Sequence, residues 1–436
     1  MFVKVFGVLV VGGLLMTVEA TAAVFCPFMI GPLSTGGGSR PNDAVCGDVN
    51  GDGLVDIVTA NDSTDDITIL LSIDGAGYAF AARVDVGDEP VALVLVDIDN
   101  DMDLDILTAN HTSDDITLLR NDGSGAFATP ETLPARMAPY SIRTAHLNND
   151  EWLDVIVANA GSNSVSVLLG QGGGAFPAID TEYPVGDTPN GIVARDLDND
   201  GDVDIATSNA GSANITMLRN MGNGTFGASE SFPVNSDPFD IAACDVDGAN
   251  GLDLVTVDFL GNLFAVVLND GAGNFGPPMM TAGGAGGFSI ACVDVTSDGR
   301  PDVLTANLVG DDVTLSTNLG GGSFESPPVS FPIGQNPSAV IPCDLDGDSD
   351  CDLVVPYRSG VAVVFDICGS GDFDRDGYID LEDFAEFENC FTGPDIPIID
   401  SFCATADMDG DDDVDLEDWN LLRQAWTSAS PVPAPG

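Results

Sequence analysis

Positive charge is what this 436-residue chain has least of: 12 Lys and Arg stand against 70 Asp and Glu, a formal net charge of −58. So acidic a surface repels polyanions, which excludes nucleic acid and anionic lipid as expected partners. Histidine is almost missing as well, since His111 and His146 are the only two, and imidazole chemistry has little to work with. The chain has no nucleophile motif, no phosphate-cradling glycine loop and no His/Cys cluster of transition-metal spacing. Nothing singles out two carboxylates for glycoside hydrolysis, so the expectation is a protein that is not an enzyme. No segment after the first 23 residues reads as a membrane span.

Helix-favouring stretches are also few. With 51 Gly, 26 Pro and 44% hydrophobic residues, the composition argues for many short strands joined by turns and against disorder. Residues 1–23 read as a signal peptide: Lys4, an apolar run over 5–16, and the small residues Thr21-Ala22-Ala23 at the cleavage point. The mature protein is therefore expected to start near Val24 and to be secreted. Bulky Phe25 argues against a lipid anchor on Cys26. Nine cysteines in an exported chain permit disulfides. Cys46, Cys244, Cys292 and Cys343 lie in apolar stretches and read as buried small hydrophobes. Cys390 with Cys403, which flank one loop, is the first candidate disulfide.

What is abundant is periodic. The stretch "DLDNDGDVD" at 196 has relatives at 48, 97, 146, 245, 294 and 344, spaced 49 or 50 residues apart, which makes seven units. A period near fifty with several strands per unit predicts a seven-bladed β-propeller, one blade per unit, over residues 24–367. Pro41, Pro90, Pro139, Pro189, Pro238 and Pro337 each lie seven residues before a loop, with Gly287 in the sixth unit. An apolar stretch then enters the loop as the innermost strand of a blade, and two further strands and a glycine turn ending in Phe follow. Phe80, Phe127, Phe176, Phe226, Phe275 and Phe324, once per unit, read as packing wedges between sheets. The seventh unit lacks a fourth strand and the N-terminus has a spare one, 24–34, so this strand is expected to close the ring beside 361–367. Cys26 with Cys368 is then the second candidate disulfide.

The loops place oxygen ligands at positions 1, 3, 5 and 9. The candidates are Asp48, Asn50, Asp52 and Asp56; Asp97, Asp99, Asp101 and Asp105; Asn148, Asp150 and Asp154; Asp196, Asp198, Asp200 and Asp204; Asp245, Asp247 and Asp253; Asp294, Asp298 and Asp302; and Asp344, Asp346, Asp348 and Asp352. Alternate residues of a tight turn point inward together, and an all-oxygen set suits a hard cation with relaxed geometry, calcium better than magnesium. The loops at 146, 245 and 294 depart from the pattern at His146, Ala249 and Thr296 and are expected to be weaker. Nine such windows hold 41 of the 70 acids, two of them near the C-terminus, so the excess charge is concentrated where a cation would offset it. The resulting calcium ions are expected to act as staples and not as catalysts.

These repeats, with the calcium loop between first and second strands and a Gly-x-Phe turn, resemble the FG-GAP (VCBS) repeats of integrin-type propellers. The resemblance implies a binding or adhesion module. Some relatives are lectins, and others are non-catalytic parts of polysaccharide-degrading enzymes. Residues 372–383 and 407–418 carry the pattern to a twelfth position, with candidate ligands Asp372, Asp374, Asp376 and Asp383, and Asp407, Asp409, Asp411 and Asp418. Each is followed by an amphipathic helix start, so 368–426 resembles a small α-helical dockerin of EF-hand type, which implies docking onto a cohesin. Asp412 in the place of a glycine and the insert carrying Cys390 and Cys403 depart from that pattern. A calcium-stapled cap without a partner is the alternative, and 427–436 reads as a disordered tail.

Two functions remain open at this point. One is a secreted calcium-dependent binding propeller tethered through its C-terminal module. The other is a carbohydrate-active protein, a lectin or a hydrolase or lyase component, delivered by a dockerin. A polysaccharide or cell-surface ligand is expected on the face opposite the calcium loops, where His111, Tyr140 and Arg358 are the variable groups. Asn61, Asn110, Asn159, Asn209 and Asn307, on the same face, read as caps of their own turns.

Overall fold

Second strands such as Asp105–Asn110 show no polar–apolar alternation, and all six positions are buried in each of the seven repeats. A strand reads this way when both faces of its sheet are covered. The computed structural model describes residues 2–11, 14–23, 28–35, 39–73, 77–177, 181–234, 237–249, 251–296, 298–347 and 351–365. Over them the chain forms seven four-stranded antiparallel sheets. Their inner strands are Pro41–Gly47, Pro90–Val96, Pro139–Ala145, Pro189–Arg195, Pro238–Cys244, Gly287–Val293 and Ile341–Cys343. Each contacts the next, and the last contacts the first, so the ring is closed. The architecture is a seven-bladed β-propeller, and blades are numbered here by their loops from 48 to 344.

Closure also runs through the outer edge. Phe28–Leu33 pairs with Gly360–Phe365, Phe28 opposite Phe365 and Leu33 opposite Val361, so the N-terminal strand is the fourth of blade seven. An all-antiparallel ring closed in this way leaves no long open edge. Phe2–Val11 and Leu14–Ala23, within the segment read as an export signal, pair with one another in a separate ribbon. Among the described residues no helix is long and apolar enough to cross a membrane.

One apolar cluster fills each of the seven seams between blades. Phe127, Phe176, Phe226, Phe275 and Phe324 reach from their glycine turns into the seam with the preceding blade. Phe80 does not: it is 54% exposed. In blade one the equivalent residue is Tyr78, opposite Ser72 as Phe324 is opposite Asn318. Its side chain packs in the seam between blades seven and one. The fourth strand of blade one starts at this tyrosine, which leaves Phe80 two residues along on an outward strand.

The cysteines correct a second expectation. Cys46 is bonded to Cys343 and Cys244 to Cys292, with Cα–Cα distances of 6.7 and 6.3 Å. All four lie on inner strands, and each bond joins neighbouring blades: seven to one, and five to six. Apolar flanks do not keep these thiols apart, because neighbouring inner strands approach one another around the axis. Cys351 is buried, its thiol 3.6 Å from Asp352 O. Cys26, Cys368, Cys390 and Cys403 lie outside the described residues, as do Asp348, the whole C-terminal module with Asp372, Asp374, Asp376, Asp383, Asp407, Asp409, Asp411 and Asp418, and the tail.

Candidate metal centres

Each loop is hung on its ninth-position acid. Asp56, Asp105, Asp154, Asp204, Asp253, Asp302 and Asp352 are all 0% exposed. In every blade one carboxylate oxygen accepts the backbone N–H of the loop's second residue, as from Leu147 to Asp154 at 2.8 Å. In six blades the other oxygen accepts an N–H from the end of the third strand or just after it, as from Asn220 to Asp204 at 2.8 Å. Burial pushes the carboxyls of Asp105, Asp204 and Asp253 up to about 6, and the loop acids beside them push the same way.

The earlier loop positions gather into clusters. Ligand atoms of Asp97, Asp99 and Asp101 lie within 4.8 Å of one another, and so do those of Asp196, Asp198 and Asp204, of Asp245, Asp247 and Asp253, and of Asp344, Asp346 and Asp352. These four groups can each hold a metal ion. The donor chemistry fits a hard cation: Oδ1 atoms of Asp99, Asp196 and Asp198 are buried and accept no hydrogen bond among the described residues, and a buried carboxylate oxygen rarely stays without a partner of its own.

Among the described residues the loops at 48, 146 and 294 form no such three-acid group. Asn50 accepts Asp52 N–H on its side-chain oxygen at 2.9 Å. Asn148 likewise accepts from Asp150 N–H at 2.9 Å, and His146 Nδ1 lies 3.1 Å from Trp152 O. In the loop at 294 a cation is already built in, because Arg300 pairs with Asp298. Asp200 accepts Asp202 N–H at 2.9 Å and stays outside its loop's cluster.

Sequence reasoning missed the residues that aim these acids. Arg120 donates to Asp99 at 2.7 Å, to Glu131 at 3.0 Å and, in the next blade, to Gly174 O at 2.7 Å. Arg219 repeats the arrangement with Asp198, Glu230 and Gly273 O at 2.6, 3.0 and 2.7 Å. Each guanidinium takes one oxygen of a third-position acid and leaves the other buried without a hydrogen-bond partner among the described residues. Asn121, Asn220, Asn269 and Asn318 tie the loops together across the seams. Asn220 Nδ2, for example, donates to Leu147 O of the preceding blade at 2.7 Å and to Val203 O at 3.1 Å. The available signal was an Asn at the same place in four glycine turns, with Arg before it in blades two and four.

On the opposite face the turn asparagines are internal caps, as expected. Asn110, 0% exposed, donates to Asp115 and Thr117 at 2.8 and 2.9 Å and accepts from Thr108 at 2.9 Å. Of the variable groups, His111 and Tyr140 meet edge-on at 5.8 Å between centroids, while Arg358 stands on blade seven, its N–H bonded to Gln335 O.

The comparisons with known proteins concern the fold and the repeat. A search of the curated proteins found no match. Among solved structures, BBS1N in complex with ARL6DN aligns at 14% identity with a TM-score of 0.57, covering 78% of this chain and 96% of that one. A streptogramin B lyase aligns at 14% identity and 0.53, with the same coverage. Virginiamycin B lyase from Staphylococcus aureus aligns at 13% identity and 0.53, covering 78% of this chain and 99% of that one. At such identities the likeness concerns the fold. The model of an FG-GAP-like repeat matches residues 97–157, 146–207, 196–256 and 294–355, each match opening on the first residue of an acidic loop. With half of the chain matched in register with its blades, the protein belongs to the FG-GAP-like repeat family.

Proposed function

We propose that this chain is a secreted, calcium-binding β-propeller that serves as a binding or adhesion module, tethered to a protein partner of cohesin type through its C-terminal pair of calcium loops. The observation that carries the metal reading is the set of buried carboxylate oxygens without donors, on Asp99, Asp196 and Asp198, inside all-oxygen clusters. An oxygen-only donor set favours calcium over metals that select thiolate or imidazole. Calcium at these loops fixes the turn between the first and second strands of its own blade and leaves the opposite face available to a ligand.

Calorimetric melting of the full chain in calcium and in EDTA tests the metal, and an unchanged melting temperature refutes it. A glycan array read with and without EDTA tests the ligand class. Binding without turnover supports a module, whereas released oligosaccharide would establish a polysaccharide hydrolase or lyase component. Pull-down with cohesins tests the tether.

A further inference from the structure

The inner strands surround an axial cavity of about 510 Å³, within the span of roughly 300–1,000 Å³ typical of small-molecule sites. At the strand ends away from the metal loops, three rings crowd its lining. Tyr140 and Phe239 meet edge-on at 5.7 Å between centroids, and Phe239 and Phe288 lie at 4.2 Å. All three occupy the second residue of their inner strands.

The residues beside them are polar. Asp43 accepts Ala44 N–H at 2.9 Å and, from the next blade, Leu93 N–H at 3.1 Å. Asp240 does the same with Ile241 and Ile290 at 2.8 and 3.1 Å. A carboxylate has about four acceptor sites, so both keep capacity for further donors. Burial raises both carboxyls, Asp43 to about 6, although the charge of Arg143 opposes this at each. Arg143 donates to Ile142 O at 2.8 Å, a small part of what its five N–H groups can do. Asn190 also lines the cavity and is only 7% exposed.

Charge selects the ligand class. The cavity lining holds Asp43 and Asp240 against Arg143 and Arg195, two charges of each sign, so neither a cation nor an anion is favoured. Carboxylate, guanidinium and amide groups around a neutral well suit vicinal hydroxyls, and aromatic rings suit the C–H face of a pyranose. We propose that the axial cavity binds the neutral end of a saccharide, one or two rings, with Asp43, Asp240, Arg143 and Asn190 taking its hydroxyls and Tyr140 and Phe288 packing on the ring. This names a ligand class and a place for the binding module proposed above, and rests on that reading.

Titration calorimetry of the full chain in 1 mM calcium, with glucose, galactose, mannose, cellobiose and lactose as neutral probes and glucosamine and glucuronate as charged ones, tests it. The expected result is binding of at least one neutral probe, weakened tenfold or more in Asn190→Leu and in Arg143→Met. Asn190→Leu replaces one cavity-lining side chain by another of similar size, so its melting temperature, measured beside the binding, should match that of the parent. Equal affinity in Asn190→Leu, or tighter binding of either charged probe, overturns the assignment. Absence of neutral binding at 10 mM also overturns it, while a melting temperature that still falls in EDTA leaves the calcium-stapled module standing.

Discussion

Replacing Asp196 by Asn should change the stability of the propeller in opposite directions with and without calcium. Asp196 shares a cluster with Asp198 and Asp204, ligand atoms within 4.8 Å. Two like charges at about 4.8 Å repel by about 0.9 kcal/mol even at the dielectric of water. Arg219 offsets part of the charge on Asp198, so removing the Asp196 charge should relieve about 1 kcal/mol in the metal-free protein. With dissociation constants of roughly 10⁻⁴ to 10⁻³ M, 10 mM calcium adds about 1.4–2.7 kcal/mol per site. A variant loop that holds no ion loses that contribution and keeps the relief, a net loss of about 0.4–1.7 kcal/mol. For a propeller of about 340 residues, an unfolding entropy of about 2.1 cal/mol/K per residue makes 1 kcal/mol worth about 1.4 °C. Calorimetry should therefore find Asp196→Asn melting about 1–1.5 °C higher than the parent in EDTA and about 0.5–2.5 °C lower in 10 mM calcium. Titration calorimetry should count one ion fewer. Shifts of the same sign in both conditions would refute the argument that these acids are held together by a cation.

Further outcomes follow from the contacts around the clusters. Arg219→Ala removes the bonds to Asp198, Glu230 and Gly273 O; its urea midpoint should fall by the equivalent of about 1.5–3 kcal/mol at constant m, and Arg219→Lys should not restore it, because one ammonium cannot meet three divergent acceptors. Asn269→Ala leaves Leu197 O and Leu252 O without their shared donor and should destabilise by about 2 kcal/mol in the same assay. In EDTA, acidification from pH 7.5 to 5 should raise the melting temperature: Asp105, Asp204 and Asp253 titrate near 6 when folded, above their unfolded value, so the native state takes up protons in that window and gains stability as pH falls. In calcium the gain should shrink, because protons and metal compete for the oxygens of Asp204 and Asp253, whereas Asp105 stands outside its loop's cluster. Cys343→Ser opens a disulfide between residues 297 apart in sequence and should lower stability by about 2–5 kcal/mol in urea titration under non-reducing conditions.

Features that repeat along the chain are legible in its sequence. The seven acidic loops, the prolines that precede them and the spare strand at 24–34 locate every blade and the closure of the ring, because each rests on local turn chemistry or on counting strands. Features that exist between repeats are not legible in this way. The pairing of Cys244 with Cys292 joins equivalent strands 48 residues apart, and an apolar context around each says nothing about a neighbour one blade away. Phe80 is misplaced by its sequence pattern for the complementary reason. A Gly-x-Phe pattern places it by composition, whereas strand pairing places Tyr78 opposite Ser72 and puts that ring in the seam.

The acidic spacing itself conceals a division of labour. Positions 1, 3, 5 and 9 look like four equivalent ligands, yet the ninth acid holds backbone N–H groups in every blade, including the loops at 48, 146 and 294, where no cluster forms among the described residues. Its conformational task is met without metal: it fixes the loop's second residue and, in six blades, the end of the third strand. The first and third positions vary in what they gather, and in two of the four clusters an arginine from the same blade aims the third-position acid, Asp99 or Asp198. The two jobs predict different phenotypes. Loss of a ninth-position acid such as Asp154→Ala leaves the buried Leu147 N–H and the half-buried Gly170 N–H unmet in a loop with no cluster, so it should destabilise equally in calcium and in EDTA, by about 2 kcal/mol. Loss of Asp196 should register in the difference between the two conditions. If urea titrations show Asp154→Ala to be calcium-dependent and Asp196→Asn not, the roles assigned here to the two positions are reversed.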